Sequence, residues 1–142
     1  MFGLNCVERK LRDLLEDANL NAYEDYEKDM IAQAEKEYIK ETGEQPDEDF
    51  IESVIEAIGE DWDSQMGTFQ VKHYGVSTDV YDFTGCLYVI EKLHRYILEE
   101  KDKIERACNV RLKVGHVEER RTPISRYWEL VVIVEGLPFE FY

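Results

Sequence analysis

The stretch TFQVKHY at residues 68–74 is the point at which the apolar pattern of the chain changes its period. Its apolar and polar side chains alternate, which is typical of a half-buried strand, and Gly75 ends it. Before this stretch the apolar residues recur at helical spacing, and after it helical and alternating patterns follow one another. This succession indicates an α+β fold.

Three helices are predicted before this strand. Asn5 and Asn21 each stand three residues before a glutamate, a capping spacing that predicts two helix starts. The second of these helices ends at Gly43, and Pro46 opens the third. The apolar face of the third helix consists of Phe50, Ile51, Val54, Ile55, Ile58 and Trp62.

A fourth helix and two further strands are predicted after residue 74. Thr78 or Asp79 caps this helix, which ends near Asn109. Its apolar stripe is Phe83, Leu87, Ile90, Leu93, Ile97 and Ile104. Val110–Val114 and Tyr127–Val134 alternate as strands do, and Phe139–Tyr142 can add an edge strand.

The expected architecture is therefore one α+β domain over residues 1–142. Its elements follow the order helix–helix–helix–strand–helix–strand–strand, with a small, mostly antiparallel sheet and one long helix packed on it. Residues 1–63 form an acidic N-terminal helical cap, and residues 64–142 form the α+β part with a β-hairpin.

Charge is distributed very unevenly along the chain. The 142 residues contain 17 Lys and Arg and 32 Asp and Glu, a net charge of −15. Residues 1–63 hold 20 acidic and 6 basic side chains, whereas residues 64–142 are nearly neutral. Such a chain repels nucleic-acid phosphates and anionic membranes, so we expect neither as a direct partner. A partner that uses this charge must be basic.

The sharpest acidic feature lies on the third predicted helix. No Lys or Arg occurs between Glu41 and Val71. Glu52, Glu56 and Glu60 follow one another at intervals of four residues, which places them on one side of a helix about 6 Å apart, similar to neighbouring phosphates on one nucleic-acid strand. The candidate partner-binding residues are Asp49, Glu52, Glu56, Glu60, Asp61 and Asp63.

Two other interpretations of this acidic row are open at the level of sequence. The carboxylates can serve solubility alone. They can also pair within the chain, because a basic cluster on the predicted hairpin is available to face them: Arg111, Lys113, Arg120, Arg121 and Arg126.

No motif for a cofactor, a nucleotide or a metal is found, so none is expected. Three widely spaced cysteines, Cys6, Cys86 and Cys108, do not suggest a disulfide framework. We expect them to be buried thiols in a reducing cytoplasm, since residues 1–6 lack the features of a signal peptide and no segment is long enough to span a bilayer.

The function expected from these features is that of a non-enzymatic acidic inhibitor. It would mimic nucleic acid in the basic cleft of a target such as a nuclease. In size, charge and lack of active-site motifs the chain resembles the small acidic proteins that phages use against host restriction or CRISPR nucleases. This likeness is one of general character and rests on no motif.

Three alternatives belong to other classes of protein. An immunity protein that neutralises a basic nuclease toxin would need the same kind of surface. A structural or adaptor subunit, for example a homodimer, would use the fourth helix, on which Phe83, Ile90, Ile97 and Ile104 recur every seven residues. A metal-free ribonuclease would use His73 and His116 on predicted strands.

Overall fold

A computed structural model describes residues 4–137 of the chain. The helices are α1 (Leu4–Thr42), α2 (Glu48–Gln65) and α3 (Leu87–Cys108). The strands are β1 (Thr68–Tyr74), β2 (Thr78–Gly85), β3 (Val110–Val114), β4 (Glu118–Arg121) and β5 (Arg126–Gly136). The strand expected at Phe139–Tyr142 lies outside the described residues.

The fold class is α+β, as predicted. A helical part is followed by a strand, a long helix and further strands, and the sheet is antiparallel throughout. β5 lies in the middle: β2 pairs with one of its edges, and β3 and β4 pair with different halves of the other. β1 forms the outer strand beyond β2.

The two helices predicted over residues 5–43 are one continuous helix, so the expected break at Asn21 is wrong. α1 runs for 39 residues from Leu4 to Thr42. The Asn21 side chain does not cap a helix start. It donates a hydrogen bond to the Tyr96 hydroxyl on α3 at 2.9 Å.

The start of the long helix α3 was also predicted wrongly. Residues 78–85, expected as its first turns, form strand β2, and the helix begins at Leu87. β2 pairs with β1 from Tyr74↔Thr78 to Thr68↔Thr84, across a turn in which Gly75 has a φ of +69°. The left-handed conformation of this turn suits glycine, which has no Cβ.

The core lies between α3, α1 and one face of the sheet. α1 contributes small and aliphatic side chains from one stripe, and α3 contributes the stripe that the sequence predicted from Ile90 onward. The sheet presents alternate residues of β2, β3 and β5. The fully buried members of this core include Val7, Leu11, Ala18, Tyr81, Phe83, Ile90, Leu93, Ile97, Leu112, Leu130 and Val132.

The residues of α3 that recur every seven positions are buried in this core. Ile90, Ile97 and Ile104 are at most 3% exposed, and Phe83 lies on β2 and is fully buried. The residues that the adaptor alternative would use for oligomerisation therefore serve the core of the chain itself.

The cysteine prediction is wrong for two of the three residues. A disulfide joins Cys6 at the start of α1 to Cys108 at the end of α3, with Cα atoms 5.6 Å apart. Only the packing of α1 against α3 brings these residues together, because 102 positions separate them in the sequence. Cys86 is a buried free thiol, as expected.

Candidate functional site

The acidic row lies on a regular helix. Asp47 caps α2, and its carboxylate accepts a hydrogen bond from the Phe50 backbone N–H at 2.9 Å. Glu48 and Asp49 in the first turn interact favourably with the positive end of the helix dipole. The helix then continues without interruption to Gln65, so the spacing of four residues places Glu52, Glu56 and Glu60 on one side of it.

Aromatic contacts with α1 determine which side of α2 faces solvent. Phe50 packs on Tyr38, with ring centroids 4.6 Å apart. Trp62 packs on Tyr23 and Tyr26, each at 5.2 Å. Because these contacts hold both ends of the apolar face against α1, the side of α2 that carries Glu52, Glu56 and Glu60 faces away from α1.

Five of the six predicted site residues share this outward side. They are all exposed, and we refer to them as the α2 stripe: Asp49, Glu52, Glu56, Glu60 and Asp63.

Asp61 does not belong to the α2 stripe. Its Oδ2 accepts a hydrogen bond from the Tyr26 hydroxyl at 3.0 Å, so it faces α1. Burial, together with this bond, raises the pKa of Tyr26 to about 12. Sequence spacing placed Asp61 next to Glu60, but a step of 100° around the helix turns it toward the packed face.

The predicted basic cluster does not neutralise the α2 stripe. Lys113 pairs with Glu135 at 3.0 Å, Arg120 with Glu118 at 2.6 Å, and Arg126 with Glu119 at 2.9 Å. Arg121 also pairs with Glu119, and Arg120 with Glu129.

Four of the five cations of the cluster, all except Arg111, are therefore engaged by carboxylates of β4 and β5. Within residues 4–137, no ion pair of 4.0 Å or less involves a carboxylate of the α2 stripe. The interpretation of the acidic row as one half of an internal ion-pair network is wrong.

A second polar feature, which sequence reasoning missed, lies where the end of α2 meets the outer face of the sheet. A cavity of about 680 Å³ is lined there by Asp63, Asp82, Arg126, Tyr127 and Glu129, among others. Asp82 could not be recognised as a sheet residue, because residues 78–85 had been predicted as helix.

Asp82 and Glu129 both line this cavity, and their carboxyl groups interact. The Asp82 Oδ1 atom is buried and has no hydrogen-bond partner among the described residues. Burial, and next the hydrogen bond with Glu129, raise the pKa of Asp82 to about 6, against smaller opposing effects of Lys72 and Arg120.

The other titratable groups do not assemble into a catalytic site of the predicted kind. His73 Nδ1 lies 2.6 Å from Asp79 Oδ1 on the β1 edge of the sheet. His116 follows β3 on the opposite edge. Three strand spacings of about 4.8 Å separate these edges, so the sheet does not bring the two histidines together.

The free cysteine and the possible metal ligands of the described residues do not form a reactive site either. Burial raises the pKa of the Cys86 thiol, which also lines the cavity, so it stays protonated at neutral pH. Between residues 4 and 137, no group of three His, Cys, Asp or Glu side chains is placed to hold a metal ion.

Comparisons with known proteins found no match. No protein-family model matches the chain, and no curated protein or solved structure is significantly similar to it. In the described part of the chain, none of the helices has both the length and the apolarity to cross a membrane.

Proposed function

We propose that this protein is a non-enzymatic inhibitor that occupies a basic, nucleic-acid-binding cleft of a target protein, such as a nuclease. The α2 stripe takes the place of phosphates in that cleft. An origin in a phage or mobile element, as an anti-CRISPR or anti-restriction factor, belongs to the same proposal.

One observation supports this function above all: the α2 stripe is exposed, and within residues 4–137 no Lys or Arg nitrogen lies within 4.0 Å of its carboxylates. Carboxylates that serve stability are usually paired or cap a helix, as Asp47 does here. Like charges four residues apart instead weaken a helix. An acidic row that weakens its own helix and is not paired within the chain is suited to bind Arg and Lys side chains of another protein. Such association is fast and sensitive to salt.

The test is affinity capture with charge-reversed variants. The Glu52→Lys, Glu56→Lys, Glu60→Lys protein is compared with wild type as bait in bacterial lysate, with mass spectrometry of the bound proteins. The matched control reverses three exposed acids on α3, Glu91, Glu99 and Asp102, and therefore has the same net charge.

We expect wild type and the α3 control to capture the same basic nucleic-acid enzyme, and the α2 variant to lose it. Binding should also weaken as salt rises. Purified target should then be inhibited by wild type and not by the α2 variant. Equal capture by all three baits would show that the α2 stripe is not the interface, and capture of no basic protein by wild type would contradict the function.

An immunity protein against a basic nuclease toxin would present the same interface. Genomic context separates the two: a neighbouring toxin gene indicates immunity, whereas a mobile element indicates anti-defence.

The cytoplasm is the compartment in which such a target would be met. The Cys6–Cys108 disulfide argues against this placement, because cytoplasmic thiols are kept reduced. Alkylation of the protein inside intact cells tests it: in a reducing compartment, Cys6 and Cys108 should be modified.

A further inference from the structure

An apolar groove of about 460 Å³ runs between α1 and α2, directly beside the α2 stripe. Leu20 and Tyr23 form its wall on α1, and Gly59, Trp62 and Met66 form its wall on α2. Leu20 is 73% exposed, whereas Leu11 and Leu15 on the same helix are buried. A large apolar side chain is thus left in water at the edge of a groove lined by two aromatic rings.

Gly59 keeps this groove open. A Cβ at this position would meet only the Tyr23 hydroxyl oxygen, at 3.8 Å, which is an ordinary van der Waals contact. Packing therefore does not require glycine here, although glycine inside a helix lowers its stability relative to alanine. Because Gly59 has no side chain, space is left between α1 and α2, and a larger residue would fill this groove.

Acidic side chains border the groove on both helices. At 100° per residue, Asp63 and Glu56 follow Gly59 by about 40° and 60° around α2, so the groove and the α2 stripe form one continuous surface. On α1 the lining includes Glu16, and the nearby Glu27 raises the pKa of Tyr23, which also lines the groove. An occupant of the groove is therefore surrounded by carboxylates.

We infer that the groove receives one bulky apolar side chain of the basic target, flanked in the target by Arg or Lys residues that contact the α2 stripe. The argument is charge complementarity around an apolar centre, the arrangement in which buried anchors contribute most to protein interfaces. The inference rests on the proposed function, since it takes the basic partner from there.

Two synthetic peptides of equal charge test this directly. One has the sequence Arg-Arg-Leu-Arg-Arg and the other Arg-Arg-Ala-Arg-Arg, both with blocked ends. Their dissociation constants and contact sites are measured by titration into ¹⁵N-labelled protein. We expect the leucine peptide to bind about tenfold more tightly, with the largest shift changes at Leu20, Gly59 and the Trp62 indole N–H.

Two uncharged substitutions should remove this preference. Gly59→Leu fills the groove and Leu20→Gln takes away its apolar wall, and neither alters the net charge. Leu98→Gln on α3 is the matched control, because Leu98 is also an exposed leucine, at 49%, and does not line the groove. In both groove variants the two peptides should bind equally, whereas the control should keep the tenfold difference.

The outcomes separate this inference from the proposed function. If both peptides bind wild type equally and lose affinity when Glu52, Glu56 and Glu60 are changed to Lys, the groove inference is wrong and the charge-based function stands. If neither peptide binds wild type, both are wrong. Shift changes confined to another surface, or self-association that buries the groove without peptide, would also overturn the inference.

Discussion

Neutralising Glu56 should make the protein more stable while weakening the proposed interface. Glu56 lies in the middle of α2, four residues from both Glu52 and Glu60, and far from the ends where the helix dipole acts. Each like-charge pair at this spacing destabilises a helix by roughly 0.2–0.5 kcal/mol. Glu56→Gln removes two such pairs and keeps the side-chain length and helix propensity.

The free energy of unfolding at low salt should therefore rise by about 0.4–1 kcal/mol. For a chain of 142 residues the entropy of unfolding is about 0.3 kcal/mol per kelvin, so Tm should rise by about 1–3 °C. Urea and thermal unfolding at about 0.01 M and about 1 M NaCl provide the measurement. At the higher concentration the Debye length falls to about 3 Å and the gain should disappear.

The matched control is Glu99→Gln on α3. Glu99 lies 4.0 Å from Arg95, one turn earlier, so here the same substitution removes an attraction instead of a repulsion. Because the pair is exposed, the loss should be at most about 0.5 kcal/mol. A Glu56→Gln protein that is less stable than wild type at low salt, or equally stabilised at both salt concentrations, would refute the reasoning.

Two further predictions concern the cavity and the disulfide. Because the pKa of Asp82 is raised to about 6, folding favours the protonated form of this side chain. The stabilising effect of that form is fully present below about pH 4 and is lost as pH rises through 6. Asp82→Asn should therefore raise the free energy of unfolding by about 1–3 kcal/mol at pH 7.5 and not at pH 4. Urea unfolding at both values checks this, and parallel pH profiles would contradict it. Cys6→Ser opens a loop of 102 positions and should lower the free energy of unfolding by about 2–5 kcal/mol. In denaturant, wild type should show one reactive thiol before reduction, that of Cys86, and three after it; three thiols before reduction would disprove the bond.

The local sequence predicted β1 and the core of α2 well because their signals are local. β1 has the predicted bounds, Thr68–Tyr74, and its alternating pattern needs no partner to be recognised. The stop at Gly43 likewise depends on neighbouring residues only, whereas the third helix begins at Glu48 with Asp47 as its cap and not at Pro46.

The continuity of α1 could not be predicted, because its asparagines act at long range. Asn21 bonds Tyr96, and the buried Asn19 exchanges two hydrogen bonds with Gly67: its Oδ1 accepts the Gly67 N–H at 2.7 Å and its Nδ2 donates to the Gly67 carbonyl at 3.2 Å. Asparagine normally competes with the helix backbone for hydrogen bonds. Here tertiary partners occupy both side chains, so the helix continues.

Strand β2 shows the same dependence on distant residues. Phe83 fits the helical stripe of α3, but Asp79, Tyr81 and Phe83 also alternate as inward residues of a strand. The choice is made by β5, which pairs with β2 from Thr78↔Glu135 to Gly85↔Trp128. About 50 residues separate these partners, so no local window contains the deciding contact.

By itself, the sequence determined the α+β class, the acidic character of the helical part and the row of carboxylates at helical spacing, because all three depend on composition and local periodicity. Tertiary structure alone decided which of these carboxylates are exposed without a partner among the described residues. It turned Asp61 toward Tyr26, gave the basic cluster its own glutamates, and placed Gly59 opposite Tyr23 to leave a groove beside the α2 stripe. These are relations between segments far apart in the chain, and only packing brings them together.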